Sequence, residues 1–86
     1  MHTVELLDEA IGLAERLGYH VRTEWLAGCI GGGCEFGGHK WIFLDVTLGP
    51  LEQLEMVLEA LRRDPEALAY PMPYRLRDLL AIRKSA

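Results

Sequence analysis

The chain has 86 residues, half of them apolar, with 9 Lys and Arg against 13 Asp and Glu and a formal net charge of −4. That length makes one domain with a thin core, the apolar share is too rich for a disordered chain, and the acidic balance argues against a nucleic-acid backbone binder. No apolar run is longer than four residues, as from Trp41 to Leu44, far too short to span a bilayer, and the acidic start Met1–Glu9 lacks the pattern of a secretory signal, so the expectation is a soluble, cytoplasmic protein.

The first segment predicts a helix: Leu6, Leu7, Ala10, Ile11, Leu13, Ala14 and Leu17 form one broad stripe. Thr3 suits the N-cap, Glu5 the first turn, and Gly18 a left-handed residue past the C-terminus. Tyr19 to Leu26 then changes period. Tyr19, Val21, Thr23 and Trp25 alternate with His20, Arg22 and Glu24, which predicts a strand.

Next comes the stretch Cys29-Ile-Gly-Gly-Gly-Cys34-Glu-Phe-Gly-Gly-His39, where composition suggests chemistry. The glycines at 31–33 suit a bulge or tight connection, and Gly37-Gly38 between two extended runs is a two-residue hairpin signal. Trp41-Ile-Phe-Leu-Asp-Val, apolar on both faces, predicts the most buried strand. Leu48-Gly49-Pro50 starts a second helix with Pro50 at N1 and a core stripe of Leu51, Leu54, Val57, Leu58 and Leu61, ended by Asp64-Pro65. Glu66 to Ala69 suits one helical turn. A last helix is expected from Pro73 or Tyr74 to about Arg83, with Leu76, Leu79, Leu80 and Ile82 inward. The fold expected is thus a single α+β domain over residues 1–86, in the order α-β-β-β-α-α, its three-stranded antiparallel or mixed sheet carrying helices on one face.

The hairpin sets the faces. With Phe36 opposite His39 and Cys34 opposite Trp41, the residues Cys34, Phe36, His39, Trp41 and Phe43 share one face, and Glu35, Lys40, Ile42, Leu44 and Val46 the other. The aliphatic face suits the helices. The face bearing Phe36, Trp41 and Phe43 is then a candidate surface for homodimerisation, and the leading functional expectation is a non-enzymatic, self-associating domain without a cofactor. The rival is a metal- or thiol-dependent site on Cys29, Cys34 and His39, a donor set that suits zinc. It lacks a second ligand pair. His20 is set aside because an extended segment would hold it on the order of 30 Å from Cys29.

Other chemistries find little. A Cys29–Cys34 disulfide would close a six-residue loop worth roughly 2 kcal/mol and does not match the C-x-x-C redox motif. Gly31-Gly-Gly has no following Lys-Ser/Thr and leads into a strand, against nucleotide binding. Arg62, Arg63, Arg75, Arg77, Arg83 and Lys84 give a basic C-terminal region read as a solvated helix surface. Ser85 is the lone serine, and Asp45, late in an apolar strand, suits a turn cap.

A helix ending in Leu17-Gly18-Tyr19-His20-Val21, the glycine-cysteine stretch, the strand from Trp41 to Val46 and the helix from Leu51 to Leu61 together resemble a small uncharacterised bacterial domain family. Their order is also similar to the minimal core of zincin-type metallopeptidases, whose helix after this strand carries H-E-x-x-H. In Val57-Leu58-Glu59-Ala60-Leu61 both zinc ligands are missing, so the resemblance implies a fold and no peptidase activity.

Overall fold

The computed structural model describes residues 3–26 and 32–81, with the backbone alone for Phe36. Cys29 and Ile82 lie outside the described residues. Helix α1 (Thr3–Arg16) ends on Gly18, whose φ of 98° and N–H bond to the Glu15 carbonyl turn the chain directly into strand β1 (Tyr19–Glu24). Strands β2 (Gly32–Phe36) and β3 (His39–Asp45) follow, then helix α2 (Pro50–Arg62), a 3-10 turn (Ala67–Ala69) and helix α3 (Tyr74–Ala81).

The sheet order is β1-β3-β2 and the sheet is mixed. β2 and β3 form the expected antiparallel hairpin, with Phe36 opposite His39 and Cys34 opposite Trp41. Gly37 and Gly38, at φ 61° and 78°, supply the two left-handed residues of a type I′ turn, whose twist matches that of the strands. A β-branched residue pays a steric penalty there. Gly38→Val is expected to cost about 1–2 kcal/mol, whereas Gly37→Asn is expected to be nearly neutral because asparagine tolerates that region. Chemical denaturation of the two variants checks the difference.

β1 pairs with the other side of β3 and runs parallel to it, Tyr19 opposite Lys40 through Glu24 opposite Asp45. The pairing continues one step past the strands through the Val46 N–H and the Glu24 carbonyl at 2.9 Å. β3 is therefore the central strand, which explains a sequence apolar on both faces.

All helical packing falls on one face. Ile42 and Leu44 are fully buried and meet Leu7, Leu13, Ala14, Leu54, Val57, Leu58, Leu61, Leu76 and Leu80 in one core. Gly33 shows how close α2 comes to β2: a Cβ there would sit 3.1 Å from that of Ala60. Gly33 thus serves helix–sheet packing.

Two expected core members lie elsewhere. β3 ends at Asp45, so Val46 falls past the sheet and is 56% exposed; Leu51, in the first turn of α2, is 59% exposed. Trp25 likewise lies beyond the end of β1, exposed. The turn between β3 and α2 is instead tied by polar groups. Asp45 Oδ1 accepts from the Thr47 N–H at 2.9 Å and from Thr47 Oγ1 at 2.8 Å, as a turn cap should. Those two bonds hold its carboxyl below the ordinary range. Gln53 Nε2 reaches back to the carbonyls of Asp45 and Leu48, and the Glu52 side chain accepts from the Gly49 N–H.

Candidate functional site

Strand alternation and the register place His20, Arg22 and Glu24 of β1, His39, Trp41, Phe43 and Asp45 of β3, and Gly32, Cys34 and position 36 of β2 on the face away from the helices. No described helix packs on that face. Trp41 and Phe43 lie parallel within 3°, ring centres 5.7 Å apart, and are half-buried. His20 leans on Trp41 at 4.7 Å and meets the His39 ring edge-on at 5.5 Å. The result is a continuous stripe, His39-His20-Trp41-Phe43, bounded by exposed polar groups. Arg22 and Glu24 form a 2.8 Å ion pair on the β1 side, and Cys34 is an exposed free thiol on the β2 side.

The candidate interface residues Trp41 and Phe43 are therefore neighbours, and position 36 lies two residues from Cys34 along the same face. Cys34 and His39 stand on adjacent strands one step apart diagonally; Cys29, the third member of the zinc expectation, lies outside the described residues. Among the described residues no group of three or more His, Cys, Asp or Glu is placed to hold a metal ion. His20 finds its partners across the sheet rather than along its own strand. Counting along one extended strand separates it from Cys29, but the parallel pairing of β1 with β3 sets it opposite Trp41 and beside His39. Alternation gave its face; nothing local gave its partner strand.

A polar cluster missed in the sequence lies at the opposite edge of the helix-covered face. Tyr19 Oη donates to Asp64 Oδ2 at 3.0 Å, Lys40 Nζ lies 3.5 Å from the same oxygen and 4.6 Å over the Tyr19 ring, and the Glu66 N–H donates to Asp64 Oδ1. This ties β1, β3 and the end of α2 together. Beside it is a shallow cleft of about 240 Å³ lined by Gly33, Glu35, Lys40, Ala60 and Arg63 among others. It carries the basic Lys40 and Arg63 against the acidic Glu35, and no nucleophile–base pair is formed among its described residues.

The cluster sets the pH response. Burial pushes the Tyr19 phenol up, and the hydrogen bond to Asp64 and its charge push it further, to about 12. Burial alone would raise the Asp64 carboxyl, but the Glu66 N–H, the Tyr19 hydroxyl and the Lys40 charge outweigh it and hold that carboxyl below the ordinary range. A lowered acid contributes stability that is present above its unfolded pKa, about 4, and is lost as pH falls through the lower folded value. The raised phenol contributes below its unfolded pKa, about 10, and that contribution is lost as pH rises through the folded value of about 12. In Asp64→Asn the alkaline titration of Tyr19 is expected to fall part of the way back toward 10, since burial remains. Phenolate absorbance in a Tyr70→Phe/Tyr74→Phe background reads this directly.

The basic C-terminal region is largely structural where it is described. Arg62 Nη2 donates to the Leu79 carbonyl at 2.9 Å, Arg77 donates to the carbonyls of Leu68 and Tyr70, and Arg62 and Arg63 both lie near Glu59. These arginines hold α3 and the connector onto α2.

The chain matches no protein-family model, no curated protein and no solved structure. At the position of the zincin motif, Leu58 is buried in the core and Glu59 faces the two arginines. No helix among the described residues is long and apolar enough to cross a membrane.

Proposed function

We propose that this chain is a non-enzymatic self-association module, in which two copies pack open sheet face to open sheet face around Trp41 and Phe43, with Phe36 at the β2 side. The observation that carries the reading is the asymmetry of the sheet. One face buries Ile42 and Leu44 under helices, while the other presents an aromatic stripe with a polar rim on which no described helix packs, the anatomy of an interface.

Area sets the expected strength. Three strands about 4.8 Å apart and five to seven residues long make a face roughly 14 Å by 20 Å, so a face-to-face pair buries in total on the order of 1,000 Å², the low end for a specific interface. A small domain gains from such burial, because alone it covers only about 60–65% of its unfolded surface. The dimer is thus expected to form in the micromolar range. A cytoplasmic setting agrees with a free, exposed Cys34 thiol. Sedimentation equilibrium of tag-free protein tests the reading: a reversible monomer–dimer equilibrium supports it, and a monomer at high micromolar concentration removes it.

A further inference from the structure

The side chains of His20 and His39 are both exposed, and they come from different strands onto the face argued above to self-associate. We propose that this pair is half of a zinc site completed by the same two histidines of a second copy, an inference that rests on the face-to-face dimer. Three observations converge on it. The ring centres are 5.5 Å apart, and two imidazoles bound at about 2.0–2.1 Å to one tetrahedral zinc hold their ring centres about 5 Å apart. Small turns of two exposed rings close the difference. Within one chain the described residues supply no third ligand group, whereas a structural zinc takes four. A two-fold axis passing beside the pair doubles two imidazoles to four and leaves none unmatched. Finally, four neutral imidazoles leave the ion its full positive charge, and each chain carries a net charge of −4, so the assembly as a whole attracts the cation.

The ion would supply what the face lacks in area. A shared ligand set links the two chains only when the faces meet in one register, so metal binding and dimerisation favour each other. It would also fix which of the possible face-to-face packings forms, since only one brings both histidine pairs together.

The test uses full-length, tag-free protein, with EDTA or zinc as the only variable. Sedimentation is expected to show association tightened about tenfold or more by zinc, with one ion per two chains, and cobalt in place of zinc is expected to give the intense visible absorption of a tetrahedral site. His20→Ala and His39→Ala, both at exposed positions, are each expected to abolish the zinc effect while leaving the circular dichroism unchanged. Cys34→Ser is expected to retain it. A dimer equally strong in zinc and in EDTA overturns the metal site and leaves self-association standing. A monomer under both conditions overturns both. A zinc effect that survives the histidine variants and disappears in Cys34→Ser overturns the ligand set in favour of the cysteine one.

Discussion

Leu58→Ala is expected to lower the unfolding free energy by about 2–5 kcal/mol, the range seen for leucines truncated in well-packed cores. Leu58 is 1% exposed and belongs to the one core cluster that joins α1, α2, α3 and the inner face of the sheet. The deleted atoms lose their transfer free energy, and the cavity left behind cannot close easily, because Ala10, Ala14 and Ala60 already bring the backbones near one another. For a domain of this size total stability is roughly 5–10 kcal/mol, so the variant gives up a large part of it. Urea denaturation should show a lower midpoint with an unchanged slope. A loss well under 1 kcal/mol would mean that α2 does not pack as described.

Phe43→Glu is expected to weaken self-association about 100-fold or more, equivalent to about 2.7 kcal/mol. Both copies of a two-fold interface carry the change, so two carboxylates enter the apolar contact at once. The monomer should survive. Phe43 is half-buried on the open face and lies opposite Arg22 in the register, which can meet the new charge. Loss of its stacking on Trp41 costs about 0.5–1.5 kcal/mol. Leu68→Glu, at a 46% exposed position in the 3-10 turn between α2 and α3, is the matched control; it is expected to leave association unchanged. Sedimentation of the two variants side by side, with circular dichroism for the fold, separates a specific face from general stickiness.

Much of this architecture is legible because its signals are local. Gly37-Gly38 between extended runs fixed a two-residue turn, and that turn alone determined that Cys34 faces Trp41 and Phe36 faces His39. Period then separated Ile42 and Leu44, which are fully buried, from Trp41 and Phe43 on the other side. What stayed hidden depends on partners distant in sequence. The parallel pairing of β1 with β3 joins residues about twenty apart, and with it came the His20–His39 contact. Tyr19 and Asp64, 45 residues apart, look like a strand residue and a helix stop until the fold brings them to 3.0 Å. Arg62 and Arg77 read as solvated charge, yet each donates to backbone carbonyls that no sequence pattern points to. Val46 and Leu51 kept the right period but fell just beyond the ends of the elements they faced, where periodicity says nothing about cover.

The claim that the open sheet face is where two copies meet is tested most directly by isotope-filtered nuclear Overhauser spectroscopy on a mixture of labelled and unlabelled chains. The Trp41 indole and Phe43 ring protons are expected to show contacts between protomers, with none from the outward surfaces of α1 and α2. Contacts between protomers confined to those helices, or none at a concentration where the dimer is populated, would contradict it.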